Sequence, residues 1–220
     1  MKVLIHACPA RMWYVDGFLV PELKRQGADN IEIWNDTEGK GNLAACMESF
    51  AAREGDGGTW HIQDDVVLCR DFVKRCRELD NEGVVYGFCC EAFTDDPAQT
   101  GHVNVEDAWH SFQCLRIPDA YARECAAWLH TKGRDNEYYS LWIASACMDD
   151  TVFRTFLIEE HSTENVLNLK PNLVDHVDWI IGGSVLHKWR GYIARAYYWE
   201  DENIITELKE AVRGKVQYIY

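Results

Sequence analysis

Positive charge is scarce in this sequence of 220 residues: 22 Lys and Arg stand against 36 Asp and Glu, a formal net charge of −14. A field of that sign repels polyanions, so duplex nucleic acid and anionic membranes are disfavoured as partners unless a local basic patch overrides it. Long apolar runs are lacking as well. No segment approaches the roughly 18 residues a membrane-spanning helix needs, and the run from Val3 to Ala7 is too short for the hydrophobic region of a signal peptide. The 9 cysteines are odd in number and scattered, and none forms a Cys-x-x-Cys pair. That usage excludes a disulfide framework and fits reduced, buried thiols. Neither internal repeats nor low-complexity segments are present. These absences lead to the expectation of a cytoplasmic protein with no transmembrane segment.

What is present is core-forming material. Apolar residues make up 47% of the chain, with 9 Trp among them, enough for one domain spanning 1–220. Val3 to Ala7 reads as a buried first strand, Tyr14 to Gln26 as a helix stopped by Gly27, and Ile31 to Trp34 as a second strand. Leu43, Cys46, Met47 and Phe50 recur at helical spacing. The segment before Asp64 reads as a third strand, Phe72 to Leu79 as a helix and Val84 to Phe88 as a fourth strand. Strands alternating with helices are what a parallel sheet requires, because parallel neighbours need crossovers. Residues 1–90 therefore read as a nucleotide-binding half. Residues 91–220 are less regular. They hold a polar stretch from Thr94 to Asp107 read as a loop, a strand within Phe112 to Ile117, a helix after Pro118, a helix from Tyr138 and a helix opened by Asp149-Asp150. A strand follows at Val166 to Leu169, and a terminal amphipathic helix runs from Asp201 to Arg213.

The sharpest signal is Thr59-Trp-His-Ile-Gln-Asp-Asp-Val-Val-Leu68, an apolar run that ends in Asp64 and Asp65. Two adjacent carboxylates at the C-terminal edge of an open α/β sheet lie where such sheets bind ligands. Their hard oxygens suit Mg2+ or Mn2+, which keep positions open for substrate phosphates. An alternative from the same residues is that the pair caps a helix starting near Arg70 or Asp71. His176 arrives after a strand-like segment and a proline, and is read as an imidazole ligand or as a surface or helix-capping histidine.

Ile62-Gln-Asp-Asp-Val-Val-Leu-Cys-Arg-Asp-Phe72, Asp149-Asp-Thr-Val-Phe-Arg-Thr-Phe-Leu157 and Pro171-Asn-Leu-Val-Asp-His176 resemble, in that order, motifs of the GT-A-fold glycosyltransferases, especially those that build lipooligosaccharide. Gln63 stands where that family has an acid. The resemblance implies an α/β, GT-A-like (Rossmann-like) mixed, mostly parallel sheet flanked by helices. It implies a metal-dependent glycosyltransferase that moves a sugar from a nucleotide sugar, a UDP sugar first among them, to a saccharide or other hydroxyl acceptor. Asp65 and His176 would hold Mn2+ or Mg2+, and Asp64 would contact the donor ribose or the ion's water shell. Asp150, or Asp149 beside it, would be the general base, against a reading of both as a helix cap and first-turn acid. Strand-end positions Arg11 and Asp36, with Lys40 and Asn42 in the loop of the same edge, are candidates for holding the nucleotide. Lys188 and Arg190, after Gly182-Gly183, are read as a basic lid over the diphosphate. A nucleotidyltransferase, a metal-dependent phosphohydrolase and a non-catalytic nucleotide-sugar-binding module are the competing readings.

Overall fold

The computed structural model of the chain describes residues 1–88, 101–107, 112–145, 148–162, 165–169, 172–183 and 202–216. Lys188 and Arg190, read above as a lid, lie outside these residues.

Three parallel strands build one end of the sheet: β1 (Lys2–Ala7), β2 (Asn30–Asn35) and β3 (Gly58–Gln63). β1 sits between the other two, with His6 level with Trp34 on one side and Gln63 on the other. Helical turns connect β1 to β2: α1 (Met12–Tyr14), a π-helical turn at Val15–Leu19, and α2 (Val20–Arg25). Pro21 in the first turn of α2 has no N–H to return to the preceding turn, and a wide turn at that point accommodates the missing bond. The second crossover is α3 (Asn42–Ala51).

Val66–Leu68 (β4) leaves the main sheet, and α4 follows at Phe72–Glu78. The main sheet continues with β5 (Val85–Tyr86), β6 (Gly101–Asn104), β7 (Cys114–Pro118) and β8 (Asn165–Asn168), in the order β2-β1-β3-β7-β5-β8-β6. β7 and β6 run against the other five strands. The sheet is thus mixed and mostly parallel in direction, as expected. The fourth expected strand, β5, runs parallel to β1–β3, with antiparallel β7 between it and β3. One correction applies: part of the stretch read as a polar loop, Gly101–Asn104, is an edge strand paired with β8. A sequence pattern carries a strand's burial but not its neighbour, so neither feature is written in local periodicity.

Helices α5 (Asp119–Leu129), α6 (Tyr139–Ser145), α7 (Asp149–His161) and α8 (Glu202–Val212) complete the layers. Alternation along the strands divides the core. Val3, Ile5, Trp60 and Ile62 pack with Tyr14, Leu19, Leu23, Phe72 and Leu208 on one face. On the other face Leu43, Met47 and Phe50 of α3 meet Leu115, Ile117, Trp128, Phe153 and Phe156. The rings of Phe50, Phe112 and Phe153 lie within 6.0 Å of one another, centroid to centroid, and lock α7 against α3. Among the described residues no helix is long and apolar enough to cross a membrane.

Candidate nucleotide and metal site

The C-terminal ends of β1, β2 and β3 open into a cleft of about 420 Å³ lined by residues 6–11, Trp34, Asp36, Gly39, Gly41, Asn42, Ala45 and 63–65. Ligands of open α/β sheets bind at this edge, where the strand order reverses direction. After Ala7 the chain turns through a 3-10 turn at Pro9–Arg11, closed by the Arg11 N–H on the Cys8 carbonyl at 3.0 Å. That turn carries Arg11 back beneath the strand ends, where its side chain is 2% exposed. After Gln63 the chain makes a tight turn at Asp64-Asp65 and enters β4 at once.

The register of β4 assembles the rest. β4 pairs with β9 (Val174–His176) in a separate antiparallel ribbon, Val66 opposite His176, and the Val177 N–H donates to the Asp65 carbonyl at 2.7 Å. Residues more than 100 positions apart in sequence thereby meet. His176 Nε2 lies 3.2 Å from Asp65 Oδ2, and its Nδ1 lies 3.7 Å from Asp178 Oδ1. Arg11 approaches both aspartates, at 3.6 Å from Asp65 Oδ2 and 3.9 Å from Asp64 Oδ1. Its Nη2 donates to the Gly183 carbonyl at 2.7 Å. Gly183, at φ 91, turns that carbonyl inward from a backbone conformation that side chains resist.

The electrostatics follow from this arrangement. Burial opposes the charge on Asp65, but the His176 imidazolium and Arg11 outweigh it and hold the carboxyl below its usual range. Asp65 returns the effect: burial alone would lower His176, and the adjacent carboxylate raises it. Asp64 moves the other way, because burial outweighs the pull of Arg11 and the charge of Asp65 adds to it. Its Oδ2 accepts from the Cys8 N–H at 2.8 Å. The Cys8 thiol is pushed up to about 12 by burial and by Asp64, so it stays protonated and is no nucleophile.

The helix-cap reading of Asp64-Asp65 does not hold, since the next helix begins at Phe72 and the pair faces Arg11, Cys8 and His176 instead. His176 is buried on a strand and is neither a surface nor a capping histidine. Among the described residues no cluster of three or more His, Cys, Asp or Glu is arranged to hold a metal by itself. The Asp65 carboxylate nevertheless fits both Mn2+ and Mg2+, the His176 imidazole fits Mn2+ better than the harder Mg2+, and Asp65 Oδ1 is buried without a hydrogen-bond partner. A carboxylate oxygen and an imidazole nitrogen leave several positions to be filled by phosphate oxygens and water.

The other expected residues divide. Asp36 and Asn42 line the cleft with Arg11 and Asp64. Asp36 is engaged by its own loop, Oδ1 accepting from the Lys40 N–H and Oδ2 from the Gly41 N–H, both at 2.9 Å. Lys40 is not among the residues lining the cleft, although Gly39 and Gly41 on either side of it are; its ammonium is paired with Glu38 at 3.0 Å and Glu48 at 2.8 Å. Asp149 and Asp150 occupy the first turn of α7, with Met148 at the N-cap. Asp149 is 3% exposed, and burial together with the charge of Asp150 pushes its carboxyl well above the usual range while the Asn42 side chain hydrogen-bonds it. Asp150 is less deeply buried, and its Oδ1 accepts from the Thr151 N–H at 2.6 Å. Asn42 thus joins the cleft to the acidic start of α7. The sequence reading missed Asp178 and the Gly183 carbonyl, which carry no motif and enter the site only through the fold.

This combination of a mixed sheet, flanking helices and a ligand cleft at the parallel strand ends defines a GT-A-like, Rossmann-like α/β fold. No protein-family description and no curated protein matches the chain. Among solved structures it is similar to TarS of S. aureus, with a TM-score of 0.52 and 12% identity over 99% of this chain and 44% of that one. The inositol-1-phosphate CTP transferase of T. maritima gives a TM-score of 0.47 and 10% identity over 98% and 97% of the two chains. The chain spans less than half the length of TarS.

Proposed function

We propose that the chain is a metal-dependent glycosyltransferase that uses a sugar nucleotide, with UDP sugars preferred, and a saccharide or other hydroxyl acceptor. The observation that carries this reading is the meeting of Arg11, Asp64, Asp65 and His176 at the rim of a cleft built by three parallel strand ends. The GT-A-like fold supports it, and the narrower kinship with lipooligosaccharide-building enzymes rests on the short motifs alone.

In this reading Asp65 and His176 would hold Mn2+ or Mg2+, which when bound would offset charge on the departing diphosphate. His176 would serve as a ligand in its neutral form, and Asp65 would offer its unpartnered Oδ1. Arg11, fixed by Asp64, Asp65 and the Gly183 carbonyl, supplies a second positive group toward the phosphates. Its position is set before substrate arrives, so little ordering is left to binding. Burial and the charge of Asp150 push the Asp149 carboxyl toward its neutral form, and Asp150 is the more exposed of the two, which favours Asp150 as the group that takes the acceptor's proton. Lys188 and Arg190 are proposed to close over the diphosphate.

The test is product identity. Purified protein with Mn2+ and a panel of UDP, GDP, CDP and dTDP sugars is expected to release the nucleoside diphosphate in the presence of a hydroxyl acceptor. Release of pyrophosphate from a nucleoside triphosphate and a sugar phosphate, with no turnover of sugar nucleotides, would replace this reading with nucleotidyl transfer.

A further inference from the structure

Three side chains in one row floor the cleft, and the row ends beside the aspartates at Gln63, which precedes Asp64 in the chain. His6 of β1 is level with Trp34 of β2 and Gln63 of β3, and all three line the cavity. Register partners on neighbouring strands project to the same side of a sheet, so an indole, an imidazole and a carboxamide stand side by side beneath whatever enters. Below the row is a second imidazole. His6 Nε2 and His61 Nδ1 are 3.0 Å apart, and the Phe50 ring abuts His61 at 5.1 Å, nearly perpendicular to it. Only one of the two facing nitrogens can carry the proton, so the tautomer of His61 fixes that of His6. No described residue partners His6 Nδ1 or the Gln63 carboxamide, while the nearby Asp36 carboxylate is already engaged by two backbone N–H groups of its own loop.

Resting on the nucleotide-binding reading above, we infer that Trp34, His6 and Gln63 form the seat of the donor's nucleobase, with His6 and Gln63 reading its hydrogen-bonding edge and His61 acting as the residue that positions His6. The Asp64-Asp65 turn takes the diphosphate, which leaves the base to lie along the row from Gln63 of β3 over His6 of β1 toward Trp34 of β2. Both histidines are buried and held neutral, His6 pulled down to about 3 by burial and by Arg53. The His6 imidazole therefore stays uncharged across the physiological range, offering a lone pair or an N–H to a base according to the tautomer it shares with His61. Such a row separates uracil from cytosine, two bases of the same shape whose edges exchange donors for acceptors. Gln63 acquires a role here that an acid would perform differently: its amide offers both a donor and an acceptor without adding charge beside the diphosphate.

Isothermal titration of UDP, CDP and inorganic pyrophosphate, with Mn2+, tests this on wild type, His6→Phe and Gln63→Met. Wild type is expected to separate UDP from CDP by about tenfold or more, one good hydrogen bond's worth of discrimination. Either substitution should bring the ratio to within about threefold while leaving pyrophosphate affinity unchanged, because neither removes a charged group from the diphosphate end. Gln63 is only half-buried, so its variant reports even where His6→Phe fails to fold. A wild type that binds UDP and CDP equally, or variants that keep the full ratio, would overturn the seat. Absence of any nucleotide binding by wild type would instead overturn the proposed function itself.

Discussion

At the scale of single residues, Asp65 is the group on which most else depends, because it touches His176, Arg11 and the backbone of Val177 at once. Asp65→Asn keeps the shape and removes the charge, and is expected to lower glycosyl transfer by about a hundredfold or more, the range of losing one electrostatic contact to a developing anion. A turnover assay at saturating Mn2+ measures it, with circular dichroism confirming that the fold persists. The buried His6–His61 pair gives a pH prediction of definite sign. Both groups are depressed in the folded protein, His6 to about 3 and His61 well below its ordinary value, chiefly by burial. In the unfolded chain each returns to about 6.5. Below that pH the unfolded state takes up protons that the folded state refuses, and each histidine costs about 1.4 kcal/mol of stability per pH unit. For His6 the loss ends as the pH nears 3, where it also charges in the folded protein. His176 is raised and contributes in the opposite direction, so the comparison needed is between variants. Urea denaturation from pH 7 to 4 should show His6→Phe losing stability less steeply than wild type by about that slope. Identical slopes would mean that the pair does not stay neutral.

At the scale of elements, the short strands and helix ends decide which side chains meet. The run Thr59 to Gln63 and the helix at Asp149 were legible because a short apolar run and an acidic first turn are local signals. The β4–β9 ribbon was not, since three residues on each side carry too little pattern and their pairing spans more than 100 positions. Hence His176 could be suspected from its motif, whereas Asp178 and Gly183, which join it through the same ribbon and turn, could not. Lys40 illustrates the reverse case. Its place in a strand-end loop suggested a ligand contact, and nothing local announced that its ammonium would pair with Glu38 and Glu48. The aromatic junction of α3 and α7 holds Asp149 and Asp150 near Asn42. Phe153, fully buried among Phe50, Phe112 and Phe156, is the residue at its centre. Phe153→Ala is expected to destabilise the fold by about 3–5 kcal/mol, the transfer and cavity cost of a buried aromatic. Chemical denaturation would measure this, and a loss below about 1 kcal/mol would show that the two helices do not depend on the junction.

For the whole molecule, the layered α/β architecture was readable in the alternation of strand and helix patterns, but the insertion of β7 between β3 and β5 was not, because strand order is a property of long-range pairing. The formal charge of −14 also acts at this scale. Self-repulsion of like charges opposes the compact state and is screened by salt, with a Debye length of about 10 Å at 0.1 M. The melting temperature is therefore expected to rise between low salt and about 0.5 M NaCl, as scanning calorimetry would show. Against that background, the proposed function requires Arg11 and a bound cation to reverse the local field where an anionic nucleotide would sit. The measurement that tests this most directly is calorimetric binding of UDP to wild type and Asp65→Asn, each with and without Mn2+. The account predicts that Mn2+ tightens UDP binding to the wild type and has little effect on the variant. UDP affinity that is indifferent to Mn2+ in the wild type, or equally enhanced by it in the variant, would contradict a metal-supported diphosphate site at Asp65.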